Sequence, residues 1–110
     1  MPLSSKARIE IYLPDKTEKT YVKLREALEQ EFLETFGGCT VIKEIKGLYL
    51  SDENKRDEDK ILLLYADTPF EFRRNRRALG KYTDELKEVA YKATNEESIL
   101  IVVHEIYHSI

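Results

Sequence analysis

Six consecutive residues, Ile61 to Ala66 (Ile-Leu-Leu-Leu-Tyr-Ala), carry no charge in a chain of which 35% is charged. The run lies between a polar stretch and Asp67-Thr68-Pro69, which makes it short for a helix and the right length for a strand. Because residues of both parities are apolar, the strand it predicts is buried on both faces. Ile99 to Val103 has the same character and is richer in β-branched residues. Two strands of this kind need covers on both sides, and the rest of the chain has to supply them.

The remaining segments are read from their periodicity. Ala7, Ile9, Ile11 and Leu13 alternate with Arg8, Glu10 and Tyr12, the pattern of a half-buried first strand ending at Pro14-Asp15. Asp15 and Glu18 have the spacing of a capping box, and Tyr21, Leu24, Leu28, Phe32 and Phe36 then draw one apolar stripe from about Thr17 to Phe36. Gly37-Gly38 closes that helix. Cys39 to Ile45 reads as a second strand, with a bulge or bend at Gly47 before Leu48-Tyr49-Leu50 continues it. Ser51 to Lys60 has no apolar residue and reads as a mobile loop. After a short connection at Phe70-Glu71-Phe72, Leu79, Tyr82, Leu86, Val89, Ala90 and Ala93 mark a second helix. Gly80 within it implies close approach of a neighbour, or a helix that begins near Tyr82 after a separate turn over Arg73 to Leu79. Asn95 to Ser98 is a turn, and Ile99 to about Tyr107 is the last strand.

The order strand, helix, strand, strand, helix, strand fits one domain over residues 1–110. With right-handed crossovers it gives an α+β, ferredoxin-like βαββαβ fold: a four-stranded antiparallel sheet, strand order four, one, three, two, with two helices on one face. One face therefore stays uncovered. Either Ile61, Leu63 and Tyr65 or Leu62, Leu64 and Ala66 lie on it, with Leu100 and Val102 or their alternates beside them. Several hundred Å² of such surface marks a binding face, worth several kcal/mol at about 25 cal/mol per Å². Sheet faces packed together in a homo-oligomer, trimer or dimer, would bury it. Arg8, Glu10 and Tyr12 would then form a paired cluster at the contact, or else line a site.

Composition narrows the partners. Eighteen basic against twenty-one acidic residues give a net charge of −3, which does not suit a general nucleic-acid or membrane-surface binder. The single cysteine, Cys39, excludes an internal disulfide and fits a reducing compartment. Met1 to Lys6 has no apolar signal core and no run approaches a membrane span, so the expected location is cytoplasmic.

Few residues suggest chemistry. Arg73, Arg76 and Arg77, on a helix, would share one side and clamp a phosphate or an acidic partner; a solvated face is the plainer reading. Glu10, Tyr12 and His104 fall on the open face by strand phase and are the candidates for acid-base work if the protein is a small enzyme. His104 and His108 on one strand would stand about 13 Å apart, too far to share a metal directly, whereas a helical end would bring them, at i and i+4, to a spacing that suits one; no metal site is assigned, and the sequence names no cofactor. Cys39 beside a helix C-terminus is poorly placed for a nucleophile. Tyr12 and Tyr65 stand where RNA-recognition domains carry stacking aromatics, without the basic consensus of such domains. Binding of nucleic acid through the Arg73 to Arg77 cluster is the third alternative.

Gly47-Leu48-Tyr49-Leu50, a polar loop, then Asp57-Glu58-Asp59-Lys60-Ile61-Leu62-Leu63-Leu64 resembles the CutA stretch of a tyrosine, an acidic loop and an apolar strand, and the order of elements resembles the PII signalling proteins. The resemblance implies a trimer, and on the PII side nucleotide binding in clefts between subunits with the mobile loop; this chain has no glycine-rich phosphate motif. It implies a non-enzymatic, oligomeric regulatory or ligand-binding protein, whose Ser51 to Lys60 loop and intersubunit clefts take a small anionic metabolite or a protein partner.

Overall fold

The structure, a computed structural model, describes residues 3–96 and 99–109, with side chains for 5–96 and 99–107. The elements run β1 (Leu3–Pro14), α1 (Lys19–Phe36), β2 (Thr40–Leu50), β3 (Arg56–Asp67), α2 (Arg76–Thr94) and β4 (Leu100–Ser109). The sheet order is β2-β3-β1-β4, every neighbouring pair antiparallel. This is the ferredoxin-like arrangement that strand phase and crossover handedness require, with both helices packed on one face.

That face holds the core. Ala7, Ile9, Ile11 and Leu13 of β1 and Leu62, Leu64 and Ala66 of β3 are buried against Leu24, Leu28 and Phe32 of α1 and Leu79, Leu86 and Ala90 of α2. Val89, assigned to the α2 stripe by spacing, is 50% exposed, because the buried line keeps to Leu79, Leu86 and Ala90. Phe36 meets Phe32, Phe70 and Tyr82 at ring distances of 5.8, 6.4 and 5.6 Å, sealing the end of the helix layer. Thr68 is buried beside β1, its N–H donating to the Ala7 carbonyl (2.9 Å).

Four local expectations are corrected. The capping box does not form: the Asp15 N–H is held by the Lys60 carbonyl (2.9 Å), so the chain leaves the sheet late and Glu18 becomes the N-cap, with no side-chain cap. The bulge in β2 lies not at Gly47 but between Ile42 and Ile45, where Glu44 takes φ 61°. Gly47 pairs in register with Asp59, and its lack of a side chain leaves room for Ile61, whose Cδ1 would lie 2.6 Å from a Cβ there. Gly80 faces open space within a helix that starts at Arg76.

The fourth correction concerns the polar stretch after β2. Arg56 to Lys60 are not loop: they pair with Lys46 to Leu50 as a two-stranded ribbon extending the sheet. Only Ser51–Lys55 turn, closed by Ser51 N–H to Lys55 O (2.8 Å), Asn54 N–H to Ser51 O (2.8 Å) and Asn54 at φ 62°. Backbone pairing needs no apolar side chain, which is why charge content alone misled.

Gly37 at φ 79° and Asn95 at φ 58° close the two helices in the left-handed conformation, their N–H groups bonding back to Leu33 O and Tyr91 O. The expected turn at Asn95 to Ser98 lies partly outside the described residues. Tyr82 joins the helices, its hydroxyl donating to Glu31 Oε2 (2.6 Å), which also accepts from Thr35 Oγ1 (2.5 Å). Burial first, and then the Glu31 carboxylate, push the Tyr82 phenol far above its usual range. No helix among the described residues is long and apolar enough to cross a membrane.

Two outcomes follow from this packing. Gly80→Ala removes backbone freedom from the unfolded chain without meeting any atom, and should stabilise by about 0.5–1 kcal/mol, a rise in Tm of about 3–6 °C by calorimetry. Tyr82→Phe should cost about 1–2 kcal/mol at pH 8. Because the folded-state value of this phenol is raised, its contribution is complete below the unfolded value near 10.0 and fades as pH rises further. Urea denaturation of both proteins should therefore show the difference narrowing above pH ~10.5.

Candidate functional site

The strand phase resolves which residues the helices leave uncovered. With Leu62, Leu64 and Ala66 inside, Ile61, Leu63 and Tyr65 lie on the open face. The cross-strand register builds four rows there: Ile45-Ile61-Pro14, Ile42-Leu63-Tyr12-Leu100, Thr40-Tyr65-Glu10-Val102 and Asp67-Arg8-His104. The first two rows are almost wholly apolar, and Leu100 is 53% and Ile42 43% exposed. The last two gather the charges.

Glu10, Tyr12 and His104, placed on this face by sequence phase, do meet. The Tyr12 hydroxyl donates to Glu10 Oε1 (3.1 Å), while His104 Nε2 lies 3.1 Å from Glu10 Oε2. That nitrogen is shut off from solvent and has no well-aligned hydrogen bond. Burial, and then the bond to Glu10, raise the Tyr12 phenol above its usual range, so it stays a donor at neutral pH. Beside the trio, Arg8 grips both oxygens of Asp67 (Nε to Oδ1 2.5 Å, Nη2 to Oδ2 3.0 Å) and stacks over the Tyr65 ring at 4.3 Å. A carboxylate touching an imidazole can pass a proton; a guanidinium already held by a carboxylate and a ring is a fixed part of the wall.

A groove of about 720 Å³ opens where β1 ends, between the sheet and the base of the ribbon. Tyr12, Tyr49, Ile61 and Leu100 give it apolar and aromatic walls, and Lys16 and Lys60 give it cations against Asp15, Asp59 and Glu96. Its volume is that of a small-molecule site. Asp59 first, then burial and Asp57, raise the Tyr49 phenol. Sequence reading missed this groove because its residues come from the ends of four elements and share no spacing. It missed Asp67 too, which reads as a strand breaker until the β1–β3 register sets it opposite Arg8.

The arginine cluster is not one helix face. Asn75 N–H bonds Glu71 O and Phe72 O in a separate turn, and α2 begins only at Arg76. Arg73 instead reaches Glu105 (3.7 Å) and Arg74 reaches Glu71 (3.2 Å). Arg76 and Arg77 are exposed, and among the described residues no ion pair engages them. They stand at the Ala7–Glu105 end of the sheet, about 20 Å by strand rise from the groove at the Pro14 end. Cys39 is half-buried, and burial pushes its thiol up. Among the described residues no three His, Cys, Asp or Glu side chains converge on a metal position; the His108 side chain lies outside those residues.

No protein-family model matches the chain, and no curated protein matches it in sequence. Solved structures do share its fold. CPII from Thiomonas intermedia K12, a nitrogen regulatory PII-like protein bound to ADP, AMP and bicarbonate, superposes with a TM-score of 0.56 at 15% identity, covering 99% of this chain and 98% of that one. CutA1 from Oryza sativa gives 0.61 at 16% identity, covering 96% and 84%. The GlnK–ATP complex from B. subtilis gives 0.54 at 16% identity, covering 93% and 82%. At such identities the likeness is one of fold: the chain resembles the PII-like and CutA proteins in topology over nearly its whole length.

Proposed function

We propose that this protein works as a homo-oligomer, a trimer or dimer of the PII and CutA type, whose copies pack their open sheet faces together and bind a small anionic ligand in the clefts between them. The observation that carries this reading is the apolar half of the uncovered face, Ile42, Ile45, Ile61, Leu63, Leu100 and Val102. Exposure of that surface costs several kcal/mol, at about 25 cal/mol per Å². The fold shared with PII-like and CutA proteins supports it, and a second copy is the occupant because the apolar rows of one face match the same rows of another, while Arg8 and Asp67 are already paired within the protomer.

The ligand half of the reading rests on the groove. Lys16 and Lys60 offer cations, Tyr12 and Tyr49 offer ring faces, and a neighbouring copy would close the open side. Adenine nucleotides are the first ligands to test, since CPII and GlnK were solved with them. Arg76 and Arg77, with Arg73 beside them, form the second anion candidate at the opposite end. The ribbon over 46–60 takes the place of the mobile loop as the element that would meet a protein partner.

A second reading is favoured by the meeting of Glu10, Tyr12 and His104: a small enzyme doing acid-base chemistry on an open face. It requires that face to be accessible in solution, so the assembly state separates the two readings.

Light scattering coupled to size exclusion should give a trimer or dimer for the wild type and a monomer for Leu63→Glu; a wild-type monomer would remove the oligomer reading. In thermal-shift titrations, ATP, ADP or AMP should raise Tm in the wild type and not in Lys60→Ala. Loss of the shift in Arg76→Ala/Arg77→Ala instead would move the site to the arginines, and no shift with any nucleotide or with inorganic phosphate would remove the ligand claim.

A further inference from the structure

We infer that assembly through the open face is coupled to uptake of one proton per protomer by the Glu10–His104 pair, so that the oligomer tightens as pH falls from 8 to 6. The inference rests on the oligomer reading above and adds how it is regulated.

The charges at the centre of the face do not cancel unless the pair is protonated. Arg8 and Asp67 cancel through two hydrogen bonds, and Tyr65 covers the guanidinium. Glu10 then remains with one donor, Tyr12, and with His104 Nε2 at 3.1 Å. With a neutral imidazole the centre carries one negative charge per protomer; with a proton on the pair it carries none. A carboxylate and an imidazole in contact become an ion pair when the imidazole gains a proton, and histidine is the side chain able to do so near neutral pH.

Sealing the face raises the stakes of that proton. The Glu10 side chain is only 14% exposed in the protomer, whereas His104 is 42% exposed, so a second copy would remove chiefly the water that now reaches the imidazole. A carboxylate without a counter-charge in a closed interface is costly, whereas a touching ion pair offsets much of its own desolvation. Two or three copies would also bring their uncompensated carboxylates towards one another.

The remaining neighbours do not supply the missing charge. From β1, Arg8 stands directly across from His104 and acts on Glu10 at longer range while its hydrogen bonds go to Asp67 of β3, and the Lys6 ammonium, donating to the Pro69 carbonyl (3.1 Å), stands about 13 Å by strand rise from Glu10. On β4 itself Val102 and Ile106 flank His104 on its own face, while Glu105 falls on the other parity, bound by Ser5, Tyr107 and Arg73. By linkage, a state that binds more protons gains as pH falls.

Sedimentation equilibrium at pH 6, 7 and 8 in constant salt tests this on the full chain. The wild type should associate at least tenfold more tightly at pH 6 than at pH 8. His104→Gln and Glu10→Gln should each change less than twofold over that range, and His108→Gln should keep the wild-type dependence. If association is too tight to dilute apart, the urea midpoint of dissociation is read in its place, with circular dichroism verifying that each variant is folded. An oligomer with no pH dependence, or with the opposite one, overturns this inference and leaves the oligomer reading standing. A monomer at every pH overturns both.

Discussion

The structure depends on a mismatch between a strand that is apolar at every position and a helix layer that covers one side. β3 cannot expose a charged face by shifting its phase, because Ile61, Leu63 and Tyr65 are as apolar as Leu62, Leu64 and Ala66. The fold resolves half of the mismatch with α1 and α2. The other half is left on the surface, and the reading of the protein as an assembly follows from that residue of unsatisfied apolar area.

How the chain chooses which half to leave open is decided elsewhere. β1 alternates strictly, so Ala7, Ile9, Ile11 and Leu13 must go inward, and pairing with β1 sets the phase of both its neighbours. The polar side of β1 is then carried into the middle of the open face, which explains why a charged strip runs through an apolar surface. Its polar groups bond sideways, Arg8 to Asp67 across one strand and Tyr12 to Glu10 along its own, which leaves the Glu10 charge for His104 to meet.

Much of this was legible in the sequence, and for a physical reason. Period-2 and period-3.6 patterns report which side of an element faces the core, so the six elements, the strand order and the meeting of Glu10, Tyr12 and His104 could be read directly. What failed were features that periodicity does not encode. The hydrogen-bonded ribbon at Arg56 to Lys60 is held by backbone groups, the start of α2 by a turn at Asn75, and the groove by chain ends brought together in space. Gly80 is a further case: its presence suggested a constraint, and the surrounding space holds none.

The ribbon gives the molecule its elongated outline of 49 × 28 × 25 Å. Its five residue pairs, Lys46↔Lys60 to Leu50↔Arg56, lie beyond the last pairing with β1, so the turn at Ser51–Lys55 stands about 17 Å out from the body of the sheet. A stiff arm of that length works as a lever. A tilt of about 10° at the irregularity around Glu44 would carry the tip some ~3 Å over a ~17 Å arm, and with it Tyr49, the wall of the groove that the ribbon carries.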